Sequence, residues 1–255
     1  MGILDAFRLD HKRAVVTGGG NGIGKRVAET LAELGADVAI LDVDHDRAQT
    51  TAEEIREKYG VRTMGIRMDV TKEEDAHYAM EAVAEELGGI DIVLNNAGIS
   101  YLSPIEDFPL EQYEKVMKIN LTGVLLTARE AAKIMIRQGT GGVMINTASI
   151  CGHIISYPRK SSAYCISKAG VLQMTKAMAV EWAPHGIRVN SISPGYVYTD
   201  MIKNSEVVPV WEAHTALGRL AEVDDLMGAF AFLASDASRY MTGADIQVDG
   251  GYTLR

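Results

Sequence analysis

The chain has 255 residues, with 25 Lys and Arg against 34 Asp and Glu, for a formal net charge of −9 and a pI near 5.2. That balance excludes functions resting on a broad basic surface, backbone-driven nucleic-acid binding among them. With 47% hydrophobic and 23% charged residues the composition is too apolar for a disordered chain and too polar for a membrane bundle, and roughly three quarters of the unfolded surface can be buried at this length without disulfides or structural metal.

Strand and helix patterns alternate along the whole chain. Ala14–Thr17 is a short β-prone run closed by glycines, and Ile23, Val27, Leu31 and Leu34 then mark one face of a helix. Asp37–Asp42 is a near-continuous apolar strand, the pattern of a strand covered on both faces. A charged helix is predicted over Asp46–Tyr59, a strand over Met64–Asp69, a helix over Glu73–Leu87 and a strand over Ile90–Leu94. The second half continues with a long helix over Glu111–Gln138, a strand over Gly142–Ala148 and a helix over Ala163–Trp182. Ile187–Ile192 reads as strand, Val223–Ala234 as helix and Asp245–Val248 as a last strand. Such alternation predicts an α/β, Rossmann-type, doubly wound and mostly parallel seven-stranded sheet with helices on both faces. No linker or repeat divides the sequence, so one domain over 1–255 is expected. The stretch 195–221 breaks the rhythm and is expected to be a substrate-binding lid, the alternative being a plain surface helix.

Cys151 and Cys165 form no disulfide framework or metal knuckle, and the six histidines have no metal-ligand spacing, so no metal is expected. Ten residues reading MGILDAFRLD lack a signal-peptide pattern, and no apolar run is long enough to span a membrane. A cytoplasmic enzyme with no membrane or nucleic-acid partner is the expectation.

Thr17-Gly-Gly-Gly-Asn-Gly-Ile-Gly24 joins the first strand to the first helix, and Asp42 closes the second strand 18 residues past Gly24. Glycines let a backbone approach a diphosphate, and a helix N-terminus offers free N–H groups and partial positive charge. With a strand before, a helix after and an acid at the right remove, this is the dinucleotide-binding pattern. The Asp42 carboxylate suits the two ribose hydroxyls of NAD and repels a 2′-phosphate. No basic residue immediately follows it, and Asn21 stands in the loop where one would hold that phosphate. NAD is therefore expected in preference to NADP.

Tyr164 and Lys168 are spaced i, i+4, about 40° apart around a helix. An ammonium beside a phenol would lower the phenol pKa and make Tyr164 a proton donor or acceptor near neutral pH. Taken alone the pair means little. Its company gives it value: Asp69-Val70, Asn95-Asn96-Ala97-Gly98, Asn120 in Lys-Ile-Asn-Leu-Thr, Ser149 in Asn-Thr-Ala-Ser-Ile, Pro194-Gly195 with Thr199, and Asp249-Gly250-Gly251.

In that order and with Thr17, Gly18, Gly22 and Gly24, these motifs resemble the short-chain dehydrogenase/reductase family nearly end to end. The resemblance implies a catalytic set of Asn120, Ser149, Tyr164 and Lys168. Cofactor-binding positions implied with it are Gly18, Asn21, Gly22, Ile23, Gly24, Asp42, Asp69, Val70, Asn96, Ala97, Gly98, Tyr164, Lys168, Pro194, Gly195, Val197 and Thr199. Ser149 would stabilise the substrate oxygen, Tyr164 would exchange its proton and Lys168 would hold the nicotinamide ribose. Asn120 would position a water leading from Lys168 to solvent and interrupt its helix. A homotetramer built on the two long central helices is also implied. The Ser149–Tyr164 interval, holding Tyr157-Pro158-Arg159-Lys160, is slightly longer than the family's usual one.

The start of the chain and the Pro-Arg-Lys segment resemble members acting on sugars and polyols, such as sorbose reductases and galactitol or gluconate dehydrogenases. Candidate substrate-pocket residues are Ser149, Cys151, His153, Tyr157, Tyr196 and Met201, with Ser100, Tyr101 and Gly195 beside them. A hydroxysteroid or other apolar ketone remains an alternative, as does a non-catalytic NAD-binding regulator. Arg159 and Lys160 could hold a carboxylate or phosphate or be a solvated turn. An acyl-carrier-protein partner is disfavoured, because both surfaces would be acidic.

Overall fold

The computed structural model describes residues 2–155, 157–199, 202 and 205–254. Its centre is a seven-stranded sheet among the described residues, every pairing parallel. The strands are β1 (Arg13–Thr17), β2 (Asp37–Asp42), β3 (Thr63–Arg67), β4 (Ile92–Asn95), β5 (Gly142–Thr147), β6 (Ile187–Pro194) and β7 (Asp245–Val248). They lie in the order 3-2-1-4-5-6-7. The order reverses between β1 and β4, and a crevice opens there beyond the carboxyl ends of the strands.

Alternation along the strands assigns each face its helices. Ala14, Val16, Val38 and Ile40 join one core with α1 (Gly22–Glu33), α2 (His45–Tyr59) and α8 (Met227–Ala234). Val15, Ala39, Leu41 and Val93 join the other, with α3 (Glu73–Leu87), α5 (Gly123–Gln138) and α6 (Ser162–Trp182). Burial of both faces explains why β1 and β2 read as continuous apolar runs rather than alternating ones.

Two predicted helices are subdivided. Glu111–Gln138 comprises α4 (Leu110–Met117), a five-residue turn of wider π-helical geometry over Lys118–Thr122, and α5. Asn120 sits at the centre of that wide turn, where the local helix interruption was expected. Val223–Ala234 begins as a 3-10 turn over Val223–Leu226 before becoming α8. Within the stretch 195–221, the described helix is the short α7 (Val208–His214). The stem of that stretch is pinned by hydrogen bonds from Ala221 N–H to Tyr196 C=O (3.0 Å) and from Tyr198 N–H to Ala221 C=O (2.8 Å). Met201 lies outside the described residues. Among the described residues no helix is long and apolar enough to cross a membrane.

Candidate active site

A cavity of about 1550 Å3 runs along the carboxyl ends of the strands, from Asp42 and Asp69 at one end to Arg159 and Ile202 at the other. Its floor is the glycine turn between β1 and α1. Gly18 has φ +61°, and a side chain there would meet Ala97 Cα at 3.0 Å. A Cβ on Gly24 would lie 2.1 Å from the Gly18 carbonyl oxygen, so α1 can start under the turn only with glycine at that place. Gly24 is thus a packing residue beneath the cradle, while Gly18, Asn21, Gly22 and Ile23 line it. Asn21 makes no side-chain cap on α1, which leaves first-turn N–H groups available to an anion.

Asn96 fastens this turn to the neighbouring strands. Its Nδ2 donates to the carbonyls of Thr17 (3.3 Å) and Gly18 (3.2 Å), and its backbone N–H donates to Thr17 Oγ1 (3.0 Å). At the end of β2, Asp42 Oδ2 accepts from Gly20 N–H (3.0 Å) and Oδ1 from Asp44 N–H (3.1 Å). Asp69 accepts the Thr71 N–H (3.0 Å) and hydroxyl (2.8 Å). Burial pushes the Asp69 carboxyl up, but these bonds and nearby lysines outweigh it and hold it below its ordinary value. Val70, Ala97, Gly98, Pro194, Gly195, Val197 and Thr199 complete the wall expected of them.

The catalytic candidates converge on the middle of the cavity. Ser149 follows β5 and caps a 3-10 turn, its Oγ accepting from Cys151 N–H at 3.1 Å. It also faces the Tyr164 phenol on α6, where it opposes the rise in that group's pKa. Lys168, 4% exposed, lies one turn further along α6, with Nζ donating to the Thr147 carbonyl at 2.6 Å and 5.6 Å from the centroid of the Tyr164 ring. Asn120 is fully buried behind the wall. Its Oδ1 accepts from Ile99 N–H (2.9 Å), and its Nδ2 donates to Ile99 C=O (2.9 Å) and Ser167 Oγ (3.1 Å). Ser167 in turn donates to the Tyr164 carbonyl at 2.7 Å, which ties Asn120 to the helix carrying the pair.

One expectation is corrected here. The phenol of Tyr164 is not lowered by its lysine; burial raises it above its ordinary value, with the nearby Cys151 adding to the shift and Ser149 opposing it. Burial also lowers Lys168, to about 8. The physical reason is that the ammonium is spent on the Thr147 carbonyl rather than on the phenolic oxygen, so desolvation dominates both groups.

At the substrate end, Ser149, Cys151 and Tyr196 line the cavity, as does Ser100. His153 and Tyr157 do not. His153 Nε2 faces Asp245 Oδ2 (2.9 Å) and Ser193 Oγ (3.3 Å), a pairing with β6 and β7 that turns the ring away from the cleft. Tyr157 is 68% exposed and contributes its carbonyl, which accepts Trp211 Nε1–H at 2.9 Å. Tyr101 packs edge-on against Phe108 outside the wall. Cys151 and Cys165 are buried and not disulfide-bonded.

Sequence reasoning missed Arg47, Thr147 and Ser167. Arg47 lines the cavity beside Asp42 from the first turn of α2, with Nε 3.2 Å from Asp44 Oδ2. Its signal was an arginine five residues past Asp42, a spacing that only the tight β2–α2 connection brings back to the site. Thr147 acts through its carbonyl and has no residue-type signature.

Known proteins share this fold. A family model described as enoyl-(acyl carrier protein) reductase matches residues 18–253. A solved short-chain type dehydrogenase/reductase from Mycobacterium marinum superimposes with a TM-score of 0.97, at 47% identity, covering 100% of both chains. The chain belongs to the short-chain dehydrogenase/reductase family. It is an oxidoreductase of that family, using a nicotinamide dinucleotide. A sorbose reductase of Candida albicans is 39% identical over 98% of this chain and 90% of its own. An NADP-dependent mannitol dehydrogenase of Alternaria alternata is 37% identical over 99% of this chain and 96% of its own.

Proposed function

We propose that this short-chain dehydrogenase/reductase interconverts a secondary alcohol and a ketone of the sugar or polyol class, with NAD(H) as cofactor. The observation that carries the reading is the convergence of Ser149, Tyr164 and Lys168 on one cavity whose floor is a side-chain-free phosphate cradle. The sorbose and mannitol specificities of the two relatives support the substrate class.

The residues present fit a dinucleotide. Gly18, Gly22 and the start of α1 would hold its diphosphate, Asp42 the adenosine ribose, Asp69 and Val70 the adenine, and Lys168 and Thr199 the nicotinamide end. When bound, the nicotinamide supplies the hydride donor or acceptor. In the reducing direction Tyr164 Oη would give its proton to the carbonyl oxygen as the carbonyl carbon is reduced, leaving the alcohol. The burial that raises the Tyr164 phenol keeps this proton in place until it is needed. Ser149 donates a hydrogen bond to the oxygen as its charge grows. Lys168 is charged below about pH 8 and would draw the replacement proton toward Tyr164. Asn120, through the wide turn around it, would position the water that connects Lys168 with solvent.

Asp42 supports NAD, since a carboxylate at the end of β2 suits ribose hydroxyls and would repel a 2′-phosphate. Arg47 on the same wall and the NADP-dependent relative support a second reading in which NADP(H) is also used. The stretch 195–221 would serve as the lid over the substrate. Exposed Leu125, Ile136, Ile166 and Val180 on α5 and α6 offer an apolar face for a homotetramer.

A screen of polyols, ketoses, hydroxysteroids and small diols at 340 nm with both cofactors tests the substrate class. Tyr164→Phe tests the chemistry: NADH binding by fluorescence should persist while kcat falls at least about a hundredfold. Unchanged turnover would refute the assignment, and turnover confined to steroids would refute the polyol reading.

A further inference from the structure

The substrate end of the cavity holds a cation with no assigned partner. Arg8, Arg13, Arg26, Arg47, Arg62, Arg129, Arg137 and Arg219 are paired with carboxylates, and Arg188 donates to backbone carbonyls. Among the described residues this leaves Arg56, Arg67, Arg159 and Arg239 without a carboxylate or carbonyl acceptor. Arg56, Arg67 and Arg239 are exposed. Arg159 instead lines the cavity together with Ser149, Ser161, Tyr164 and Tyr196.

Arg159 is held from two sides. Its guanidinium lies 4.8 Å from the ring centroid of Trp211. That indole is fully buried, stacked on Tyr196 at 3.9 Å with an interplanar angle of 9°, and tied through Nε1 to the Tyr157 carbonyl. The backbone just beyond Arg159 is pinned by Ser103 N–H, which donates to the Lys160 carbonyl at 2.9 Å, and by the bridge between Ser103 and Ser161. A guanidinium stacked on an aromatic face keeps its in-plane N–H groups available, and less rotamer freedom is lost when it binds an anion. Lys160 next to it is exposed and contributes only its carbonyl.

A sheltered, pre-oriented arginine that shares the cavity wall with Tyr164, and has no carboxylate or carbonyl acceptor among the described residues, suits a substrate that carries its own anion. We propose that Arg159 is a specificity-determining residue that receives a substrate carboxylate, so that the preferred substrates are polyhydroxylated acids rather than neutral polyols. The proposal rests on the alcohol–ketone reading and narrows it. The planar fork of the guanidinium matches a carboxylate through two parallel N–H···O bonds. Because such a contact is made equally before and during hydride transfer, its loss should fall on KM more than on kcat.

The test compares kcat/KM for a six-carbon aldonate with that for the alditol of the same chain length, with a phosphorylated alditol as third substrate. In the wild-type enzyme the aldonate should be preferred. Arg159→Gln should reduce the aldonate-to-alditol ratio about tenfold to a hundredfold, mainly through KM, which is the scale of a charge-assisted bidentate pair. Arg159→Lys retains a cation against Trp211 but not the fork, and its ratio should fall between the two, which separates recognition from anchoring of α7. A ratio that moves less than about threefold in Arg159→Gln, or a wild-type preference for the neutral or phosphorylated alditol, would overturn the proposal. Failure of the alcohol–ketone reading shows itself separately, as retained turnover of every substrate in Tyr164→Phe.

Discussion

Lys168 offers a test in which stability and charge can be separated. Its ammonium is 4% exposed and burial lowers its pKa from 10.5 to about 8. A shift of that size corresponds to about 3 kcal/mol of folding penalty on the charged form. The sign follows from proton binding. Below about pH 8 both folded and unfolded chains carry the proton and the penalty is complete. Between about 8 and 10.5 the unfolded chain binds more protons, so stability rises with pH and the penalty fades. Lys168→Met removes the titration, while also removing the hydrogen bond to the Thr147 carbonyl, a loss of about 1.5–3 kcal/mol that does not depend on pH over the range where the lysine is charged. The absolute difference at pH 7 is therefore small, and its pH dependence is the informative quantity. Denaturant titrations at intervals from pH 7 to 10.5 should show wild type gaining about 3 kcal/mol relative to Lys168→Met. Parallel stability curves for the two proteins would refute the account of Lys168 as a desolvated cation.

Asp42→Ala should weaken NADH binding about tenfold to a hundredfold, the scale of charge-assisted hydrogen bonds to the ribose, and narrow the NAD-to-NADP ratio in kcat/KM. A wild type that already prefers NADPH would refute the ribose argument, and Arg47→Ala should then be the variant that loses NADPH. Gly24→Ala places a methyl group 2.1 Å from the Gly18 carbonyl oxygen. It should cost at least about 1–3 kcal/mol in thermal unfolding and abolish NADH binding; normal binding would show that α1 does not need to start so close to the turn. Light scattering on the purified enzyme should give four times the mass of 27.6 kDa, and a monomer would remove the assembly role proposed for the faces of α5 and α6.

The order and type of the main elements were legible because each has a strong period. Glu73–Leu87, Asp37–Asp42 and Asp245–Val248 have the bounds expected of them. The division of Glu111–Gln138 at Lys118–Thr122 carries no signal in apolar spacing, since a single wide turn leaves the buried stripe nearly intact. Asn120 marked it only through the family pattern. Among site residues, those read from motifs meet in one cavity or directly behind it, whereas the substrate pocket read from residue type was partly wrong. His153 and Tyr157 are suitable for a polyol by chemistry, yet Asp245 claims the first and solvent the second.

By itself the sequence determined the layered α/β architecture, the glycine turn after β1 and the candidate set of Ser149, Tyr164 and Lys168, because these depend on short-range spacing along a strand, a turn or one face of a helix. Tertiary structure alone decided what depends on neighbours distant in the chain. It shifted the pKa values of Tyr164 and Lys168 through burial, returned Arg47 to the Asp42 end of the cavity, and placed Arg159 against Trp211 at the other. A pKa or a pocket wall is a property of surroundings, and those surroundings are assembled from segments that meet only once the sheet has formed.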